Sequence, residues 1–259
     1  MLIDTHAHLF FDQFNDDRDD VIARAAATDV RKIINIATDL DTSRECIEMA
    51  EVHAGLFATV GIHPNDAGQF DDRTIPSLKQ LCSHPKVVAI GEIGLDFYRD
   101  WCPPAVQEIV FRKQIRLAKE VGRPIVIHNR EAGREIIDVI KSEGLDGLSG
   151  VFHCFSEDEH VAGEVLDLGF FISFTGNLTF KKSELPSVAS MVPVDRLLLE
   201  TDCPFLAPEP KRGRRNEPAY VHHICEKLAE IKGLGMSDLA GATTKNAHRL
   251  FGLGEEETM

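Results

Sequence analysis

A chain of 259 residues with 43% hydrophobic content is long enough to bury one large core. Its formal net charge of −14 argues against a protein that coats nucleic acid non-specifically, which would need clustered Lys and Arg, but leaves room for an enzyme engaging one strand end. No apolar run approaches the ~20 residues of a membrane span, the opening MLIDTHAH lacks the basic and apolar regions of a signal peptide, and six cysteines without a CxxC pair read as reduced thiols, so a cytoplasmic protein is expected.

Short apolar runs recur along the chain, apolar at consecutive positions rather than alternating, as in strands buried on both faces. The first, Leu2–Thr5, runs into Asp4-Thr5-His6-Ala7-His8. The acidic stretch Asn15–Asp20 reads as a solvated helix start, and Asp19–Thr28 leads as a helix to the strand Lys32–Ala37, which ends at Thr38-Asp39. A helix over Ser43–His53 precedes the strand Phe57–Gly61 and its tail Ile62-His63-Pro64. Val87–Ile90 opens onto Gly91-Glu92-Ile93-Gly94-Leu95-Asp96. The clearest helical stripe, Val106–Val121, leads to the strand Pro124–Ile127 and His128-Asn129-Arg130. Gly133–Glu143 precedes Gly150–Phe152 with His153-Cys154-Phe155, and Glu159–Leu168 precedes Phe170–Ser173 with Thr175-Gly176-Asn177. Arg196–Leu199 ends at Glu200-Thr201-Asp202, and helices over Tyr220–Lys232 and Met236–Phe251 follow. Gly122, Gly144 and Gly169 mark helix stops.

Eight strands alternating with helices in a chain near ~250 residues predict an α/β fold, one (β/α)8 TIM barrel over residues 1–259. A doubly wound open sheet would normally place a Gly-rich turn after its first strand, where this chain has His-x-His.

In such a barrel the polar tails past the strand ends converge on one face. A lone His at a strand end is usually a hydrogen-bonded core residue. Five His and several carboxylates on one rim would instead leave strong repulsion and unpaired polar groups unless a cation held them. His6 and His8, two apart on an extended strand, project to the same face and can reach one ion, with Asp202 closing that site. His128 and His153 can share a second ion, and Glu92 is placed to bridge the two. Two divalent cations, Mg²⁺, Mn²⁺ or Zn²⁺, would then lie ~3.5–4 Å apart with a bridging water or hydroxide between them.

The ordered set DTHAHL, GIHP, GEIGLD, HNR, HCF and ETDCPFLAP, then RNEPAY, resembles the TatD family of metal-dependent deoxyribonucleases in the amidohydrolase superfamily, across essentially the whole chain. Many amidohydrolases bridge their metals with a carboxylated Lys; here the fourth strand supplies Glu92, as in the TatD branch. The resemblance implies hydrolysis of DNA phosphodiester bonds from a 3′ end. Asp202 would orient the bridging hydroxide and accept its proton, sharing the catalytic role with Glu92. Glu200 reads as a residue behind the ligands or an additional-ion ligand, or as a buried acid paired with Lys or Arg. His63 is expected to contact a phosphate oxygen or make a structural hydrogen bond. Arg130 and Arg215 are candidates for phosphate binding, and Asn216 and Glu217 resemble the family's NEP loop. The basic run Lys211–Arg215 either binds phosphate or is a solvated loop. Phe97, Tyr98 and Trp101 either stack on a terminal base or pack over the mouth. Alternation points Cys154 and Cys203 away from the ions.

The resemblance also permits RNA, a D-aminoacyl-tRNA deacylated at its ester, or a small cyclic amide as substrate. Arg130 and the basic run favour a substrate bearing phosphate. No obligate protein partner is indicated. A barrel turned binding scaffold would have lost ligands, and here the set is complete.

Overall fold

A computed structural model describes residues 1–254. Eight parallel strands pair in chain order: β1 (Leu2–Ala7), β2 (Val30–Asn35), β3 (Leu56–Val60), β4 (Val87–Asp96), β5 (Ile125–Arg130), β6 (Gly150–Phe152), β7 (Phe171–Phe174) and β8 (Leu197–Leu199). The ring closes where β1 meets the end of β8. There the Asp202 N–H donates to the His6 carbonyl at 2.8 Å and the His8 N–H donates to Cys203 at 2.9 Å. Between the strands run α1 (Arg18–Ala27), α2 (Leu40–Val52), α3 (Thr74–Leu81), α4 (Pro104–Val121), α5 (Gly133–Glu143), α6 (Glu159–Asp167) and α7 (Leu185–Met191), with α8 (Val221–Lys232) and α9 (Met236–Phe251) after β8. The (β/α)8 barrel expected from the sequence is therefore present. No helix among the described residues is long and apolar enough to cross a membrane.

Helix ends follow local chemistry. Asp39 caps α2 by accepting the Thr42 N–H, and Thr42 answers with its hydroxyl, a reciprocal capping box. Asp158 caps α6 through the Val161 N–H. Outward-facing strand residues such as Ile127, Phe152, Ile172 and Leu199 pack with Phe111, Ile115, Ile136 and Leu228 of the helices. Each such buried side chain contributes roughly 1.5–3 kcal/mol relative to exposure.

The barrel interior has an apolar floor. Ile34, Val88, Val126, Val151, Phe171 and Leu198 cluster with Ala247, Leu250 and Phe251, so α9 plugs the end where the strands begin. Side chains two positions apart share a face of a strand. His128, His153, Ser173 and Glu200 therefore continue the inward rows of Val126, Val151, Phe171 and Leu198 up to the mouth.

Two expectations need correction. The site residues do not all lie past strand ends: His6, Glu92, His128 and Arg130 are inside β1, β4 and β5. The β4–β5 ladder continues through Gly94–His128, Leu95–Asn129 and Asp96–Arg130 although the apolar run has stopped. Backbone pairing outlasts hydrophobicity because the barrel's upper interior is polar. Helices α3 and α7 were not read from the sequence; each spans only two turns and carries Pro near its start, too little for a helical stripe to show.

Candidate metal centre

Glu92 stands in the middle of the mouth. Its Oε2 lies 3.5 Å from His6 Nε2 and 3.6 Å from His8 Nε2, and Asp202 Oδ1 lies 3.7 and 3.4 Å from the same nitrogens. Its Oε1 lies 2.7 Å from His128 Nδ1 and 2.8 Å from His153 Nε2. One carboxylate thus presents a different oxygen to each pair of imidazoles. The two pairs touch: the rings of His6 and His153 stack with centroids 3.8 Å apart and planes 13° from parallel. Three triads each bring one ligand atom per residue within 4.8 Å of the others: His6–His8–Glu92, His6–His153–Asp202 and His63–Glu92–His128. The second cuts across the strand-by-strand division read from the sequence.

Local backbone explains the placement. Gly94 has φ 147°, and a Cβ there would fall 2.0 Å from the His128 carbonyl oxygen. Only glycine lets β4 run this close to β5 with Glu92 and His128 in contact.

Lone pairs outnumber protons in this cluster. His8 Nδ1 lies 2.8 Å from the Ile36 carbonyl, which only accepts. A neutral His8 therefore carries its proton there and turns a bare Nε2 to the cluster. His128 sits between carboxylates, Nδ1 on Glu92 and Nε2 at 3.1 Å from Asp96 Oδ2. His6 Nδ1 and His153 Nδ1 are buried with no hydrogen-bond partner among the described residues, although Glu200 Oε1 stands 3.4 Å from the latter.

The electrostatics follow. Burial pushes the His153, His8 and His128 imidazoles down, but Glu92 and Glu200, Asp202 and Glu92, and Asp96 and Glu92 respectively outweigh it, and all three rest above the ordinary value. His6 is held below by burial and by His153. Burial raises the Glu92 and Asp202 carboxyls, yet their imidazole neighbours, His153 foremost for Glu92 and His8 for Asp202, bring both below the ordinary range. Such a site favours positive charge, and its mixed N/O donors fit divalent cations.

The remaining sequence candidates fall around this centre. His63 Nε2 lies 3.7 Å from Glu92 Oε1. Glu200, buried, accepts the Cys154 N–H at 2.5 Å and the Ser173 hydroxyl at 2.7 Å, behind His153. It pairs with no Lys or Arg among the described residues, which removes that reading of it. Arg130 lies over the Tyr98 ring at 4.6 Å and Arg99 over Trp101 at 4.7 Å. Tyr98 and Trp101 are 58% and 67% exposed, so neither is packed over the mouth although each carries a guanidinium on one face, whereas Phe97 packs on the core.

Arg215 departs from its expected role. Its guanidinium makes two 2.8 Å hydrogen bonds to Asp17, a third to the Gln13 carbonyl, and lies over Phe14. It braces the loop after β8 against the loop after β1 and offers no free fork to a phosphate. Glu217 likewise receives Arg24 at 2.8 Å. Asn216 donates to the Thr201 and Phe205 carbonyls at 2.8 and 2.6 Å, clamping the turn that carries Asp202. Cys203 is buried as expected, and Cys154 follows the end of its strand. Strand β6 stops at Phe152 and Cys154 has φ 45°, so its thiol lies 3.5 Å from the Thr175 hydroxyl.

Sequence reasoning missed Asp96, the Ile36 carbonyl, and Asn65, whose side-chain amide donates to Asp96 Oδ2 at 3.3 Å, as partners of the centre. Asp96 had a signal: it lies four positions after Glu92 on one strand, hence on the same face.

Residues 3–252 match the family model described as TatD related DNase. The metal-dependent hydrolase YabD of Bacillus subtilis is 45% identical over 97% of this chain and 99% of its own length. A Cronobacter turicensis protein named 3′-5′ ssDNA/RNA exonuclease TatD is 39% identical over 96% of this chain and 97% of its own. The crystal structure of YjjV, a TatD homologue from Escherichia coli K12, superposes with a TM-score of 0.92 at 30% identity, covering 98% of each chain.

Proposed function

The chain belongs to the TatD-related DNase family of metal-dependent hydrolases, and on that premise we propose that it removes nucleotides from the 3′ end of single-stranded DNA or RNA with two divalent cations. The observation that carries this reading is the division of Glu92, Oε2 toward His6 and His8 and Oε1 toward His128 and His153. His6, His8, Glu92 and Asp202 would hold one cation, and Glu92, His128 and His153 the other; Mg²⁺, Mn²⁺ and Zn²⁺ all suit such donors. Bound there, the cations would acidify a water and supply positive charge for the attacking and departing oxygens.

The chain's own groups divide the remaining work. The Asp202 side chain, 13% exposed against 4% for Glu92, is the more accessible carboxylate and is the proton acceptor we assign. His63 donates from Nε2 to a phosphate oxygen. Arg130 offers its guanidinium to a neighbouring phosphate while the faces of Tyr98 and Trp101 not covered by Arg130 and Arg99 stack on bases. Glu200 orients His153. Six free cysteines suit a reducing compartment, and we assign the enzyme to the cytoplasm.

The test is an assay of metal-loaded protein on 3′-labelled single-stranded DNA, RNA and aminoacyl-tRNA side by side. Stepwise release of nucleotides from the labelled end is expected. Release of the amino acid alone would move the reaction from phosphorus to an ester carbonyl.

A further inference from the structure

Beside the mouth, the loops after β7 and β8 enclose a cleft of about 480 Å³. Asn177, Phe180, Lys181 and Lys182 line it from one loop, Glu209 and Arg212 from the other. The walls are fixed to each other. The Glu209 N–H donates to the Thr179 hydroxyl at 2.9 Å, and that hydroxyl donates to the Gly176 carbonyl at 2.6 Å. A Cβ on Gly176 would fall 1.9 Å from the Leu206 carbonyl oxygen, so the loops meet with no space for a side chain.

Three cations on these walls are exposed and make no ion pair among the described residues: Lys181, Lys182 and Arg212, the last with its guanidinium carbon over the Phe180 ring, 3.7 Å from the centroid. In a chain of net charge −14 they form a local exception that attracts anions. The cleft also adjoins the metal centre. Asn177 lies 3.9 Å from Cys154 Sγ, and the Cys154 N–H is bonded to the Glu200 carboxylate that stands behind His153.

We propose that this cleft is a subsite for the backbone phosphates of a single-stranded polynucleotide, gripping the chain that flanks the bond being cut. The assignment rests on the nuclease reading above and extends it to residues outside the recognised motifs. Lys181, Lys182 and Arg212 neutralise successive phosphates, and the Phe180–Arg212 pair gives a base a flat partner.

The test compares the wild type with K181Q/K182Q/R212Q and with K113Q/K227Q/K245Q, which removes the same charge from α4, α8 and α9. Binding of a labelled phosphorothioate oligothymidylate to the metal-loaded proteins is measured across a salt series, and hydrolysis of the ordinary phosphodiester oligomer alongside. Loss of three single-strand phosphate contacts at ~0.7 each is expected to flatten the slope of log Kd against log salt by about 2 in the cleft variant and to weaken binding about tenfold or more at low salt. The control should keep the wild-type slope. A cleft variant with the wild-type slope, in a protein that cuts the oligomer, overturns the subsite and leaves the nuclease reading intact. A slope lost in a protein that binds but never cuts keeps the subsite and removes the nuclease reading. A wild type that neither binds nor cuts removes both.

Discussion

His63 Nδ1 accepts the backbone N–H of Asn65 at 3.1 Å, which leaves the proton of the neutral ring on Nε2, the atom that faces the metal centre. Burial, with His128 beside it, pushes this imidazole down to about 3, so it is neutral at ordinary pH. A ring that presents a donor inward has no lone pair for a cation, although His63 forms a geometric triad with Glu92 and His128. His63→Ala is expected to lower kcat/KM on nucleic acid by about 10²- to 10³-fold, the usual cost of one preorganised donor. Elemental analysis should find its bound metal unchanged, and loss of a cation would make His63 a ligand instead.

Asp96 holds His128 from behind, Oδ2 to Nε2 at 3.1 Å, so that Nδ1 meets Glu92. Asp96→Ala is expected to weaken one of the two proposed cations by roughly 10- to 100-fold while sparing the other. Asp96→Asn, which keeps an acceptor, should recover most of that affinity. Competition titration against a chromophoric chelator reads both, and equal affinities in wild type and Asp96→Ala would refute the orienting role.

These two partners show where sequence reading stops. The eight strands were legible because a strand buried on both faces writes itself as an apolar run, and the polar tails of those runs marked the mouth where His6, His8, Glu92, His128, His153 and Asp202 meet. Helices α3 and α7 were too short to carry a period. Arg215 resembled a phosphate ligand because its partner, Asp17, lies 198 positions away and nothing local announces the pair. Lys181 and Lys182 gain meaning only where their loop meets the one bearing Arg212.

Asn216 acts on the centre through the turn around Asp202. Asn216→Ala leaves the buried Thr201 carbonyl short of a donor, at a cost of about 1–3 kcal/mol, and removes a second bond to the less buried Phe205 carbonyl. The folded variant should lose kcat with little change in KM, because Asp202 is displaced while the substrate surfaces remain. Urea unfolding and steady-state kinetics check both; a destabilised variant with wild-type kcat would reduce Asn216 to a structural residue.

The loop that Arg215 braces should be acid-sensitive. Arg215, and after it Arg24, holds the Asp17 carboxyl well below its ordinary value of 3.8. A carboxyl depressed in the folded state stabilises fully above its unfolded value, and that contribution is lost as pH falls toward the folded one. The melting-temperature deficit of Asp17→Asn relative to wild type is therefore expected to be constant near neutrality and to shrink below about pH 4. The pair is partly exposed, so the deficit should be small and reduced by salt. A deficit independent of pH would assign the effect to hydrogen bonding rather than charge.

The proposed sharing of Glu92 between two cations is tested most directly by titrating chelator-stripped protein with Mn²⁺ and reading stoichiometry by calorimetry and coupling by electron paramagnetic resonance. Two Mn²⁺ per chain with the signature of a magnetically coupled pair are expected, with that coupling abolished in Glu92→Ala. A single uncoupled Mn²⁺ in the wild type, or coupling that survives Glu92→Ala, would contradict it.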